Sequence, residues 1–228
     1  MMDLMSPVSK GGKAGARVRA PLPRPDADPA TRRRVLDAAV ACIIERGFYR
    51  ASSNEIARQA GVTWGVIQYH FGTRESLMLA VLDDTTTRFV DLVEHANIEG
   101  DDATERLERL LDLLAGHYGT PEYLAFTQIL LNMDRDPSTG AEVRATLRTV
   151  AEQSNAHVRR LLRQTLGPVQ SDAELAATLF LVLRGFALSQ QLLDTMAYDS
   201  IPVQSEHAAR QRQLLAEMLA PYLEQLGA

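Results

Sequence analysis

Apolar residues recur every three to four positions along most of the chain after residue 28, the spacing of an amphipathic helix. Alternation of apolar and polar residues, which would indicate strands, is nearly absent. Leu, Ala, Arg, Glu and Gln, which favour helices, dominate the periodic segments. The pattern therefore predicts an all-α protein of about nine helices.

Capping residues set the bounds of the first two helices. Asp28 is placed as an N-cap with Pro29 at the first helical position, and the helix is expected to run to residue 45 and stop at Gly47. The segment Ser52-x-x-Glu55 has the form of a capping box and predicts a second, short helix ending near Ala60.

A tight turn and a further short helix follow. Gly61 permits a left-handed turn, Thr63 is expected to cap a third helix over 64–69, and Thr73 to cap a fourth. Breaks rich in Gly, Pro and Asp separate five later helices, predicted at about 103–116, 121–133, 141–166, 171–195 and 206–226.

The second and third helices have the pattern of a helix-turn-helix, in which one face is anchored and the other enters a DNA groove. The expected anchors are the apolar residues Ile56, Ala57, Val62, Val66, Ile67 and Phe71. The expected DNA contacts are the remaining polar, amphipathic or small residues Ser53, Thr63, Trp64, Gly65, Gln68, Tyr69, His70 and Arg74.

Each of these side chains suits a different contact. Gln68 can bind adenine through two hydrogen bonds, and Thr63 can bond a phosphate or touch a thymine methyl. Tyr69 and His70 carry donors for phosphate oxygens, and Arg74 adds charge at a helix N-terminus. The alternative for Trp64 is a buried packing residue.

Charge is distributed unevenly, although the whole chain is acidic with a net charge of −5. Residues 1–76 carry 12 Lys and Arg against 7 Asp and Glu, so the rest of the chain has a net charge of −10. A basic head on an acidic body is expected when one part meets phosphate and the other does not.

Residues 30–80 contain three informative segments, which are Ala39 with Gly47-Phe48 downstream, Glu55-Ile-Ala-x-x-Ala-Gly-Val-Thr63, and Phe71-Gly-Thr-Arg-Glu-x-Leu77. Together these segments resemble the TetR family of bacterial transcriptional regulators. The resemblance implies a homodimer, usually a repressor, with a C-terminal ligand-binding domain. Many members have Lys where this chain has Arg74, which keeps the phosphate-binding charge. Many have Tyr where it has Gln68, which predicts an altered base preference, so the operator of relatives does not carry over.

The last two helices carry the expected dimer contact. The eighth is apolar nearly all round, which indicates burial on more than one side, and the ninth has an apolar stripe. The resemblance implies that these helices form a four-helix bundle across a two-fold axis; an intramolecular core is the alternative. The predicted interface residues are Leu179, Leu183, Leu215, Met218, Leu219 and Tyr222.

An effector pocket is expected between the fourth and eighth helices. Arg184 lies inside an apolar helix, and a buried Arg needs either a partner carboxylate or an anionic ligand. Plain core is the alternative for the apolar candidates. The candidates are Phe89, Phe126, Gln128, Ile129, Asn132, Met133, Leu147, Phe180, Arg184 and Phe186.

The sequence offers no catalytic or metal-binding pattern. The five His residues are scattered without metal-ligand spacing, and the pairs Asp83-Asp84 and Asp101-Asp102 are interpreted as solvated charge. The single Cys42 is interpreted as a small buried apolar residue rather than a redox sensor. No cofactor is expected, and neither a secretory signal nor a membrane span is evident, so the cytoplasm is the expected location.

The sequence therefore predicts three parts: a disordered basic arm at 1–28, a helix-turn-helix domain at 29–75, and an effector-binding and dimerisation domain at 76–228. The predicted function is a sequence-specific DNA-binding regulator, released from its operator by a small hydrophobic ligand. The alternatives are a helical adaptor that binds protein and a ligand-handling enzyme.

Overall fold

A computed structural model of the chain describes residues 28–137, 139–166, 173–196 and 207–227. These residues form nine α-helices and one short 3-10 helix and contain no strand, which confirms the predicted all-α class. The α-helices are α1 Pro29–Arg46, α2 Ser53–Ala60, α3 Trp64–Phe71, α4 Arg74–His95, α5 Ala103–Tyr118, α6 Pro121–Arg135, α7 Ala141–Leu166, α8 Ala173–Met196 and α9 Ala208–Gly227.

The helix ends follow the predicted caps closely. The Asp28 carboxylate accepts hydrogen bonds from the backbone N–H groups of Ala30 and Thr31, and α1 ends at Gly47, whose φ is 81°. The 3-10 helix Phe48–Arg50 was not expected; it fills the connection to α2. α5 runs to Tyr118 because Gly116 lies inside the helix and Gly119 ends it.

Some expected boundaries lie outside the described residues. These are the basic arm before Asp28, the stop at Gly167-Pro168, the capping box opened by Ser171 and the loop before α9. Within the described part of the chain, no helix combines the length and apolar character needed to cross a bilayer.

One hydrophobic core runs through the whole described chain. It includes Ile56 and Ile67 of the helix-turn-helix as well as Leu110 and Ile129 further along, each of them fully buried. The long helix α4 packs against α1 and α3 of the N-terminal part and also against α6 and α7. A displacement of α4 would therefore be felt by both ends of the molecule.

Candidate functional site

The turn between α2 and α3 is built from glycine conformation and backbone hydrogen bonds. Gly61 adopts a left-handed φ of 66°, and the N–H of Val62 donates to the carbonyl of Ala57 over 3.0 Å. A residue with a Cβ is strained at such a φ, so glycine suits this position. This turn fixes the direction in which α3 leaves α2.

The capping box at the start of α2 is only half formed. The Ser52 hydroxyl accepts from the N–H of Glu55 over 3.3 Å, as predicted. The N–H of Ser52 instead donates to the Arg50 carbonyl, and the Glu55 carboxylate pairs with Arg46 at 2.9 Å and with Arg58. Glu55 therefore ties α2 to the end of α1 rather than to its own cap.

The two faces of α3 divide as the sequence predicts. Ile67 and Phe71 are buried, and Val62 and Val66 are partly buried. Trp64 keeps half of its surface exposed, which excludes the alternative that it is a buried packing residue in the single chain. The other exposed candidates are Thr63, Gly65, Gln68 and Tyr69, whereas Ser53 and His70 are half-buried.

Thr63 does not cap α3 through its side chain, contrary to the prediction. It occupies the N-cap position with extended backbone, yet its hydroxyl makes no capping hydrogen bond. The exposed hydroxyl is therefore available to an outside partner at the N-terminus of a helix, where anions bind favourably.

His70 is turned partly inward. Its Nδ1 is buried and has no hydrogen-bond partner within the described chain. Its ring packs edge-on against the ring of Tyr69, with the two ring centroids 5.3 Å apart. Burial, and secondarily the nearby Arg32, lower the pKa of His70. The lowered pKa favours the neutral imidazole, and because Nδ1 is buried, any outside contact would have to be made through Nε2.

Arg74 is engaged within the protein. Its Nε donates to the carbonyl of Ala51 over 2.9 Å, its Nη2 donates to the carbonyl of Phe48 over 2.5 Å, and its guanidinium lies 4.4 Å from the centroid of the Phe48 ring. Burial lowers the pKa of Arg74. The prediction of a phosphate contact did not anticipate these bonds, which anchor α4 to the segment joining α1 and α2.

The predicted effector residues fall into two groups. Phe89, Phe126, Ile129 and Met133 are buried, as is Leu147. The remaining candidates, Gln128, Asn132, Phe180, Arg184 and Phe186, are half-buried. Asn132 donates through Nδ2 to the carbonyl of Gln128 over 2.7 Å, so one of its amide hydrogens is used within α6.

Sequence reasoning missed three aromatic residues that surround Arg184. The Nη2 of Arg184 donates to the hydroxyl of Tyr123 over 2.8 Å, and its guanidinium carbon lies 5.8 Å from the Tyr118 ring centroid. His117 stacks on Phe89 with ring centroids 4.1 Å apart. The sequence feature that could have identified them is an aromatic residue on each side of the Gly119-Thr120 break, with Tyr118 at the end of α5 and Tyr123 at the start of α6. We call Tyr118, Tyr123, His117 and Phe89 the aromatic cluster.

A series of ion pairs links α6, α4 and α1. Arg33 on α1 pairs with Asp84 on α4 at 2.9 Å, and Arg88 pairs with the same carboxylate at 3.1 Å. Arg88 also lies 3.6 Å from Glu122, which precedes Tyr123 on α6. The interpretation of Asp84 as solvated charge is therefore wrong, because the carboxylate links two helices.

Asp102 is also more than solvated charge. Its carboxylate accepts from the N–H of Glu105 over 2.8 Å and caps α5. Cys42 is buried, as expected, and burial raises the pKa of its thiol. The described residues contain no group of His, Cys, Asp and Glu that could hold a metal ion.

The predicted dimer interface needs correction on α8. Leu179 and Leu183 are already buried within the single chain, so a partner could bury them no further. Leu181 and Val182 are the exposed apolar residues of that helix. Because α8 is apolar on nearly every face, its sequence does not distinguish the internal face, which holds Leu179 and Leu183, from the exposed one.

On α9 the exposed apolar residues form a clear line. Leu214, Met218 and Tyr222 follow one another at intervals of four and keep 42%, 74% and 51% of their surfaces exposed. Leu215 and Leu219 are half-buried and pack against the core. Met218 and Tyr222 of the predicted interface are thus open to a partner.

The fold and the exposed α3 face define a helix-turn-helix protein, and residues 35–81 match the family model described as "Bacterial regulatory proteins, tetR family". That match covers less than half of the chain, so similarity to the TetR family is shown for this segment. The chain is also similar to the "HTH-type transcriptional regulator BetI" of Klebsiella pneumoniae (strain 342), with 33% identity over 93 residues. That match covers 40% of this chain and 47% of the relative, so the chain spans about half the length of this curated relative.

Solved structures resemble a larger part of the chain. A TetR-family member from Streptomyces coelicolor A3 is 27% identical, with a TM-score of 0.57, over 82% of this chain and 98% of that one. The fatty acid degradation regulator FadR from Bacillus halodurans gives a TM-score of 0.62 at 20% identity, over 85% and 96% of the two chains. The latter identity supports a shared fold alone.

Proposed function

We propose that the protein is a sequence-specific DNA-binding transcriptional regulator that acts in the cytoplasm as a homodimer. The observation that carries the proposal is the division of α3, which buries Ile67 and Phe71 and leaves Trp64 and Gln68 exposed. A helix anchored on one face and polar on the other is what a major groove admits. The match of residues 35–81 to the TetR family model supports the same conclusion.

Within this proposal, each side chain on or beside α3 makes a different contact with DNA. Gln68 reads adenine through two hydrogen bonds, and Trp64 meets thymine methyls or the sugar backbone. The free hydroxyl of Thr63, with Tyr69 and His70, binds phosphate and fixes the register. Ser53 adds a contact from α2, and Gly65 lets the helix approach closely.

We assign Arg74 a positioning role. Its two hydrogen bonds to the carbonyls of Ala51 and Phe48 hold the start of α4 against the segment that precedes α2. Because α3 lies between α2 and α4, this brace supports the orientation of the recognition helix. Any phosphate contact by Arg74 would have to use Nη1 or the second hydrogen of Nη2, since Nε and one Nη2 hydrogen already donate to Ala51 and Phe48.

The dimer is proposed to form through α8 and α9. The line of Leu214, Met218 and Tyr222 on α9, with Leu181 and Val182 on α8, is exposed apolar surface suited to a two-fold contact. Two recognition helices related by that axis would meet half-sites one DNA turn, about 34–36 Å, or a multiple of it apart.

We propose that a small hydrophobic ligand releases the protein from its operator, so that the protein acts as a repressor. The ligand would act by shifting α4. Phe89 on α4 stacks on His117 of the aromatic cluster, and Asp84 on the same helix pairs with Arg33 of α1. A ligand that binds better to one position of α4 would shift the population towards it and so lower DNA affinity. No catalytic role is proposed.

Binding to DNA from the region upstream of the protein's own gene tests this function. A fluorescence-anisotropy titration at several salt concentrations is expected to give affinity that falls steeply as salt rises, since phosphate contacts release counterions. A helical adaptor that binds protein would show either no binding or binding that does not depend on salt, and that result would overturn the proposal.

A further inference from the structure

The guanidinium of Arg184 lies in the middle of an aromatic cluster formed by three helices. Its carbon is 5.8 Å from the ring centroid of Tyr118 on α5 and 5.7 Å from that of Phe180 on α8. Its Nη2 donates to the hydroxyl of Tyr123 on α6 over 2.8 Å. Further along the cluster, the ring of Tyr123 stacks on that of Phe126 at 5.6 Å.

The positive charge of Arg184 is not balanced by the residues that the structure describes. No carboxylate whose side chain the structure describes pairs with the guanidinium, and its Nε is buried without a hydrogen-bond partner. Buried polar atoms nearly always have such a partner, and buried charges are nearly always paired. Of the two alternatives for this residue, a structural salt bridge and an anionic ligand, the described geometry favours the second.

A second donor lies beside the first. The hydroxyl oxygen of Tyr123 accepts from Arg184, and its own hydrogen has no acceptor within the described chain. The Nε–H of Arg184 and the O–H of Tyr123 thus both lack an acceptor beside the same guanidinium. A carboxylate, with two acceptor oxygens, can take one hydrogen bond from each.

The surrounding groups add no other charge. Burial, and secondarily the charge of Arg184, lower the pKa of His117 to about 4. Burial raises the pKa of Tyr118 above its ordinary value. Both rings are therefore neutral at neutral pH, and the cluster offers one positive charge bordered by aromatic surface.

We propose that the effector is a hydrophobic carboxylic acid whose carboxylate binds Arg184 and Tyr123 and whose apolar part lies against the aromatic cluster. The proposal rests on the function proposed above, in which this part of the molecule takes a small hydrophobic ligand. It adds that the ligand must carry a negative charge.

Matched acid and amide probes test the charge requirement by titration calorimetry on the full-length protein. The pairs are 2-naphthoate with 2-naphthamide and 4-phenylbutyrate with 4-phenylbutanamide, which differ in charge but little in shape. The carboxylate of at least one pair is expected to bind about ten-fold or more tightly than its amide, since charge-assisted hydrogen bonds are the stronger ones.

Variants locate that preference. Arg184→Met is expected to abolish it, Arg184→Lys to keep part of it, and Tyr123→Phe to weaken carboxylate binding several-fold while leaving amide binding nearly unchanged. Arg148→Met, which removes an exposed charge on α7, is the matched control and should retain the full preference. Circular dichroism tests whether each variant is folded. If Arg184→Met does not fold, the proposal is tested by Tyr123→Phe and by the preference of the wild type for the acid in each probe pair.

Two results would overturn the proposal. One is the lack of any carboxylate preference in both wild-type pairs, including undetectable binding of all four probes; the other is a preference that survives in folded Arg184→Met. DNA binding by the same preparations without probe is measured separately. Absence of DNA binding together with an intact carboxylate preference would refute the regulator function alone. DNA binding without a carboxylate preference would refute the carboxylate effector alone.

Discussion

Arg74 donates a hydrogen bond from Nε to the backbone carbonyl of Ala51 over 2.9 Å, which joins the first residue of α4 to the turn before α2. With the second bond to Phe48, this makes Arg74 part of the scaffold of the helix-turn-helix. Arg74→Ala is therefore expected to lower the free energy of unfolding by about 3 kcal/mol or more, since a hydrogen bond from a charged donor contributes about 1.5–3 kcal/mol. Denaturant titration measures it.

The dependence of DNA affinity on salt separates this role from phosphate binding. A lost phosphate contact would reduce the salt slope by about one unit. We expect the slope of Arg74→Ala to match that of the wild type, with a uniform loss of affinity that follows the loss of stability. A reduced slope in a variant of unchanged stability would show that Arg74 serves phosphate instead.

The sequence predicted the helices well because their ends are local. Asp28, Gly47 and Gly61 act on their own turns, and the structure places helix ends at each of them. The partners of Arg74 could not be inferred in the same way. They are backbone carbonyls 23 and 26 residues away, and no side-chain pattern marks a carbonyl as an acceptor.

The aromatic cluster shows a different limit. Arg184 was singled out because a charge in an apolar helix is visible in the sequence. Tyr123 lies 61 residues away, and His117 looks like one of several scattered histidines until α5 and α6 are packed together. On α8, apolar residues on nearly every face hid which side was internal, and Leu179 and Leu183 were therefore placed on the wrong one.

Gly65 tests how closely α3 approaches DNA. A Cβ added there would meet only the Thr63 hydroxyl oxygen, at 3.7 Å, which is an ordinary contact. Gly65→Ala should therefore keep or raise stability, since Ala favours a helix over Gly by up to about 1 kcal/mol. If the backbone lies against DNA, the methyl group should still weaken binding, and anisotropy titration measures the loss.

Gly116→Ala is the control for that substitution. A Cβ at Gly116, inside α5, would meet nothing within 4 Å. Both variants should gain similar stability, but only Gly65→Ala should lose DNA affinity. Equal affinities for the two variants would mean that Gly65 does not face DNA.

His117 should make stability depend on pH. Its pKa is about 4 in the folded chain, against 6.5 for an unperturbed histidine, because burial disfavours the charged ring. Between these values the unfolded chain binds a proton that the folded chain does not. The free energy of unfolding should therefore be fully retained above pH 6.5 and fall by up to about 3 kcal/mol as the pH drops to 4.

His117→Phe removes this titration and keeps an aromatic ring to stack on Phe89. Its unfolding free energy, measured by denaturant titration across the same range, should fall less steeply than that of the wild type. Replacing the exposed His95 by Phe is the matched control and should keep the wild-type slope. If the unfolding free energies of wild type and His117→Phe change in parallel with pH, His117 is not the group responsible for this pH dependence.

The exposed line on α9 predicts where dimers form. Met218→Glu and Tyr222→Glu place a charge on surface that a partner would bury, and an unpaired buried charge is costly. Both variants should sediment as folded monomers. Leu131→Glu, which alters an equally exposed apolar residue on α6, should leave the dimer intact. Dimers that persist in the α9 variants would place the interface elsewhere.

Base preference at Gln68 tests the central claim most directly. Wild type and Gln68→Ala are titrated against a selected operator and against duplexes carrying each single base change, with Gln213→Ala on α9 as the control. Gln68→Ala should lose about 1–3 kcal/mol on the selected operator and relax the preference at one base pair of each half-site, while Gln213→Ala behaves like wild type. Equal weakening on every duplex, or the absence of wild-type binding to any of them, would contradict the assignment of α3 as the recognition helix.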